Sequence, residues 1–113
     1  MHNFKELKIW SLGMDISKKV YILSKEFPDN ERFGMTSQTR RCAVSIPSNI
    51  AEGAGRGTNK DFNRFIDYSI GSSFELETQL ILSNELFGMD TKEILDSISE
   101  FQKMTIGFKK TLK

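Results

Sequence analysis

The chain has 113 residues, with sixteen Lys and Arg against fifteen Asp and Glu and a formal net charge of +1. That length supports one folded core and excludes a second. The charge balance excludes a uniformly basic nucleic-acid binder but leaves room for a local basic patch. One Cys and one His exclude a disulfide framework and a His/Cys metal cage built within one chain. No stretch approaches the ~20 apolar residues of a membrane span. The first residues also lack the charged, apolar and small-residue order of a signal peptide. The expectation is a cytoplasmic protein with no membrane partner, folded as one domain over 1–113.

Apolar residues recur at helical spacing, and only two prolines interrupt them. The spacing predicts a first helix from about Glu6 to Glu26, stopped by Phe27-Pro28-Asp29-Asn30. It carries two apolar stripes. Leu7, Trp10, Met14 and Tyr21 form one; Ile9, Ile16, Val20, Leu23 and Phe27 form the other, about 130° away at about 100° per residue. Gly13, Ser17 and Ser24 lie between them and allow another helix to come close. So wide an apolar arc exceeds what one peripheral helix of a small bundle buries, and it predicts a contact with another subunit.

The second helix is expected from about Thr36 to Ala54, ending at Gly55-Arg56-Gly57. Its inward side reads Met35, Thr39, Cys42, Ala43, Ile46, Asn49, Ile50 and Gly53. The third is expected to start at Asn59 as N-cap and to run to Phe87, with Gly88 beyond its end. Its inner side reads Phe62, Phe65, Ile66, Ser69, Ser73, Leu76, Leu80, Asn84 and Phe87, while Tyr68, Leu82 and Leu86 fall elsewhere as surplus apolar surface. The fourth is expected after Asp90, with Glu93 as a capping-box partner, and to reach the chain end. Its stripe is Ile94, Ile98, Phe101, Thr105, Phe108 and Leu112, and Lys103, Lys109, Lys110 and Lys113 read as a solvated end that suits the helix dipole. Three short connections predict an all-α, antiparallel up-down-up-down four-helix bundle.

The second helix breaks two local rules within three residues. Pro47 sits in its interior, so the carbonyl of Ala43 loses its helical donor and needs a kink or a side chain to satisfy it. Asn49 sits on an apolar side and also needs partners, since an unsatisfied buried amide costs roughly 1–3 kcal/mol. Such a conflict between local rules marks a functional or specificity-determining place.

The segment Ser45-Ile46-Pro47-Ser48-Asn49-Ile50-Ala51-Glu52-Gly53, with Arg41 before it and Arg56 after it, and then Gly71, Ser72, Glu75 and Leu76, closely resembles the 23S ribosomal RNA intervening-sequence proteins. The opening with Leu7, Trp10 and Tyr21 and the Phe27-Pro28 to Phe33-Gly34 loop are similar too, so the resemblance covers about residues 4–88. It implies a four-helix bundle that assembles into a ring, typically a pentamer, some of whose relatives are encoded inside ribosomal RNA intervening sequences. A related branch serves diversity-generating retroelements, binding nucleic acid and partnering a reverse transcriptase. Those proteins look strongly basic, whereas this chain is near neutral. For most of the family no activity is established.

Arg40, Arg41, Arg56, Lys60 and Arg64 are the candidate phosphate contacts to RNA or DNA, non-specific and salt-dependent. Alternatively, Arg41 and Arg56 pair with Glu52 and Glu75 and hold helix ends or a subunit contact. Ser45, Pro47, Asn49, Glu52, Gly53, Ser72 and Glu75 are the candidate interface or core network, with Asn49 setting helix register or oligomer state. Glu52 and Glu75 as catalytic carboxylates lack a nucleophile, a His or a metal-ligand partner in the motif, so the expectation is no enzyme, no cofactor and no metal. Gly53, Gly55 and Gly57 match neither phosphate-loop spacing and read as a turn. Cys42 reads as a small core residue, and His2 carries no argument. Two functions remain open: a homo-oligomer that contacts nucleic acid, and an oligomeric protein-binding scaffold without a nucleic-acid role.

Overall fold

A computed structural model describes residues 2–112. Among them the chain forms α1 (Lys8–Ser24), α2 (Met35–Ala54), α3 (Asn59–Phe87) and α4 (Lys92–Lys109), with 3-10 turns at Phe4–Glu6 and Asp29–Glu31 and no strand. α1 packs on α2 and α4, and α3 packs on the same two helices, so each helix has two neighbours. At 1.5 Å per residue, the 29 residues of α3 span about 44 Å. That is the long dimension of the molecule, 44 × 23 × 19 Å.

The core gathers one stripe from every helix: Ile9, Ile16 and Val20; Ala43, Ile46 and Ile50; Phe62, Ile66, Leu76 and Leu80; Ile94, Ile98 and Phe101. On α1 the core is the second of the two stripes, while Leu7, Trp10 and Met14 are only half-buried and Tyr21 is exposed. Ser69, Ser73 and Thr105 are fully buried among the large side chains, which lets the helices pack tightly without uniform bulk.

The ends differ from expectation by a residue or two, for local reasons. Leu7 is extended (φ −82°, ψ 127°), so α1 starts at Lys8 rather than Glu6. α3 is capped by Thr58, not Asn59: the Thr58 hydroxyl accepts the Asp61 N–H at 3.1 Å, the usual hydroxyl cap three residues before its donor. Gly88 closes α3 in the left-handed conformation at φ 68°, where a side chain is disfavoured.

The Asp90–Glu93 box does not form. Thr91 takes the cap position without a side-chain bond, and Asp90 accepts the Lys92 N–H at 3.2 Å. Glu93 turns instead to Lys19 on α1 at 3.3 Å. α4 stops at Lys109, and Lys113 lies outside the described residues. On α3 the buried position is Ser83 rather than Asn84, because Asn84 reaches out to donate to the Met89 carbonyl at 2.8 Å.

Candidate interaction surfaces

The broken rule at Pro47 is resolved by α1. Gly13 lies directly against it: a Cβ there would stand 3.2 Å from Ile46 Cγ2, Pro47 Cβ and Pro47 N. The absent side chain lets the two helices meet backbone to ring, and one turn on, the buried Ser17 hydroxyl stands 2.9 Å from the Ala43 carbonyl oxygen. That carbonyl is the one Pro47 leaves without a helical N–H. Ser17 Oγ is also 3.0 Å from Gly13 O, but Gly13 keeps its own helical donor, so the one hydroxyl proton serves Ala43. An unpaired buried carbonyl costs about 1–3 kcal/mol, which Ser17 removes.

The rest of the motif secures other carbonyls. Ser69 of α3 donates to Ile46 O at 2.7 Å, and the Cys42 thiol donates to Ser72 O at 3.1 Å. Within α2, Ser45 donates to Cys42 O at 2.6 Å and Asn49 donates to Ser45 O at 2.8 Å. Asn49 is half-buried rather than set in the core. Gly53 marks the closest approach of α2 and α3, where a Cβ would meet Phe65 Cβ at 2.6 Å and Phe62 Cδ1 at 2.9 Å.

Because small residues draw α1 and α2 together along their inner line, their outer sides diverge into a groove of about 650 Å³. Its walls are Trp10, Met14, Tyr21 and Ile22 on one side and Val44 and Pro47 on the other, with Ser48, Ala51 and Lys18 completing it. The α1 wall is the extra stripe expected from sequence. The α2 wall went unremarked, although Val44, Pro47, Ser48 and Ala51 repeat at helical spacing.

A smaller trough of about 360 Å³ lies between α2 and α3, lined by Gln38, Arg41, Cys42, Ser45, Glu75 and Gln79. Burial, and then the negative charge of Glu75, push the Cys42 thiol up to about 12. The thiol therefore stays protonated and unreactive at neutral pH.

The five candidate cations do not form one patch. Arg56 reaches Glu52 at 3.8 Å and Arg64 reaches Asp61 at 3.4 Å. Their guanidinium carbons stand 4.6 and 5.8 Å from the centre of the same ring, Phe65. Lys60 is exposed beside them without an ion pair among the described residues. Arg40 and Arg41 sit 14 and 13 residues before the end of α2 at Ala54, about 20 Å away along its axis. Arg41 and Glu75 share the trough without forming an ion pair. Arg40 Nε donates to Ser24 Oγ at 2.7 Å and its guanidinium lies 4.8 Å over Tyr21. Both partners are neutral, so it keeps its charge.

Among the described residues, no group of three or more His, Cys, Asp or Glu side chains converges as a metal site, and no helix is long and apolar enough to cross a membrane. No curated protein matches the chain. A family model, that of the 23S rRNA-intervening sequence protein, matches residues 5–107, which takes in both breaks in the α2 pattern and all four helices but for the last two residues of α4. The chain belongs to the 23S rRNA-intervening sequence protein family.

Proposed function

We propose that the protein is a non-enzymatic, cytoplasmic homo-oligomer of antiparallel four-helix bundles, whose assembled form contacts RNA or DNA backbone without sequence preference. The observation that carries the assembly is the apolar groove between α1 and α2. It leaves Tyr21, Ile22 and Val44 exposed on one side of the molecule, and contiguous apolar surface of this kind marks an interaction site. The antiparallel arrangement is supported by the His2 N–H, which donates to Ala54 O at 2.9 Å and ties the chain start to the end of α2.

A ring needs two different, complementary patches on each subunit. The outer side of α3 offers the second, with Tyr68, Leu82 and Leu86 all exposed. Gly71 lies on the same side, and a Cβ there would meet nothing within 4 Å. Nothing in the chain itself calls for glycine at that point, and a glycine inside a helix costs roughly 0.5–1 kcal/mol relative to alanine. Close approach by a neighbouring subunit accounts for it. The subunit number is taken as five, as the family resemblance implies, and a reverse transcriptase or similar nucleic-acid enzyme is the protein partner that resemblance suggests.

Light scattering with and without a structured RNA, at about 50 and 300 mM salt, tests both parts, because screening shortens from roughly 14 to 6 Å over that range. A discrete oligomer that gains mass with RNA only at low salt is the expected result. The second reading, a scaffold for proteins alone, is favoured by the pairing of Arg56 with Glu52 and of Arg64 with Asp61. An oligomer indifferent to RNA at both salts selects it.

A further inference from the structure

The turn between α1 and α2 holds a combination that neither the core nor the groove uses. Phe33 is 90 % exposed, the most exposed large apolar side chain among the described residues. The guanidinium of Arg32 lies 5.5 Å from the centre of its ring. Beside it, Lys25, Arg32 and Arg40 line a pocket of about 420 Å³, together with Ser24, Thr36 and the Phe27-Pro28-Asp29 corner. None of the three cations is ion-paired with a described residue. The acidic groups of the same turn are the exposed Glu26, Asp29 in the pocket wall and Glu31, whose carboxylate accepts the Met35 N–H at 3.1 Å. Arg40 is held in place by Ser24 and Tyr21, both neutral, so its position is set before any ligand arrives.

We infer that this turn is a binding site for single-stranded nucleic acid, in which a base stacks on Phe33 and flanking phosphates are held by Lys25, Arg32 and Arg40. A single strand alternates a flat, unpaired base with a phosphate. Proteins that bind one without sequence preference pair an exposed aromatic with a basic groove. A duplex keeps its bases stacked inside and offers Phe33 nothing. The planar guanidinium of Arg40, with its Nε already committed, has its remaining N–H groups free to fork onto phosphate oxygens. The inference rests on the nucleic-acid part of the function proposed above, and it moves the contact from Arg56, Lys60 and Arg64 to the opposite end of α2.

The test is fluorescence anisotropy at about 50 mM salt with labelled oligouridylate, oligothymidylate and an abasic strand of equal length. Each is titrated with the wild type, Phe33→Ala, the double variant Lys25→Glu/Arg32→Glu, and the double variant Arg56→Glu/Arg64→Glu. Phe33 contributes almost nothing to the core, so Phe33→Ala is expected to fold and assemble as the wild type does, checked by circular dichroism and light scattering. It should weaken both base-bearing strands about tenfold and leave the abasic strand unchanged, while Lys25→Glu/Arg32→Glu weakens all three. Comparison of the uridylate and thymidylate strands distinguishes RNA from DNA as the preferred source. Binding that ignores Phe33→Ala but is lost in Arg56→Glu/Arg64→Glu overturns the inference and leaves the nucleic-acid reading intact. Absence of wild-type binding to every strand removes both. A change of oligomeric mass in Phe33→Ala assigns the ring to a subunit contact and also overturns the inference.

Discussion

The two ends of α2 carry the same residue types and put them to different uses. At the far end, Arg56 and Arg64 bracket Phe65 and each finds a carboxylate one turn away, Glu52 and Asp61. At the near end, Arg40 is fixed by a hydroxyl and a tyrosine ring and meets no carboxylate. A basic residue is therefore not a basic site: whether its charge is available depends on what stands three or four positions away. At the near end Lys25, Arg32 and Arg40 all lack ion pairs, whereas at the far end only Lys60 does among the described residues. The packing follows the same division, since Gly53 is pressed against the Phe65 and Phe62 side chains while Gly34 faces only the tip of the Glu31 side chain.

That contrast is easiest to break through packing. Gly53→Val is expected to cost about 3 kcal/mol, near the top of the range for overfilling a tight contact, because the atoms in the way belong to the root of Phe65 and the ring and backbone of Phe62. Gly34→Ala is expected to cost about 1 kcal/mol, since only the Glu31 carboxylate must move, giving up the Met35 N–H as it does. Urea unfolding of both variants measures the difference, and equal costs would deny that the ends differ.

The crossing between those ends is tested next. Ser17→Ala should destabilise the chain by roughly 1–2 kcal/mol, because it leaves Ala43 O unpaired. In a Pro47→Ala background the restored N–H serves that carbonyl, and Ser17→Ala should then cost much less. A double-mutant cycle reads the coupling directly; additive costs would show that Ser17 does not stand in for the missing amide.

Charge availability gives a smaller effect in binding. Arg32→Glu/Arg40→Glu should lower the slope of log K against log salt by about 2, one for each lost phosphate contact. Arg56→Glu/Arg64→Glu should leave it nearly unchanged. Reversal of that order would place the nucleic-acid contact at the α2–α3 turn.

The smallest signal comes from the middle of α2. Burial and Glu75 raise the folded Cys42 thiol from its ordinary 9.0 to about 12. The unfolded chain therefore releases this proton before the folded one does. The thiol's contribution to stability is complete below about pH 9 and is lost as pH rises toward 12. At pH 8 a thiol reagent should label Cys42 only in denaturant, and rapid labelling of the native protein would show the thiol to be accessible.

Much of the fold was legible because its rules are periodic. The stripes of α3 and α4, the helix ends at Gly55 and Gly88 and the surplus stripe on α1 all follow from spacing. The conflict at Pro47 was visible too, but its resolution was not, since Ser17 lies 26 positions from Ala43 and only the crossing brings it there. The separation of the basic residues was hidden for a similar reason. Arg40, Arg41, Arg56, Lys60 and Arg64 are neighbours in composition, yet about 20 Å of helix divides them. The pairing of Arg56 with a carboxylate was the alternative reading of the sequence, and Asp61, three residues before Arg64, was readable in the same way. The groove wall at Val44 and Ala51 is less legible, because Ser48 interrupts its apolar spacing and the core stripe of α2 lies beside it.

Self-assembly through the α1–α2 groove is the central claim, and the mass of the purified 113-residue chain tests it most directly. Light scattering at micromolar concentration should give a single multiple of 12.9 kDa, and Val44→Glu, which puts a charge in the groove wall, should reduce it to the monomer. A wild-type mass of 12.9 kDa, or an oligomer untouched by Val44→Glu, would contradict the account.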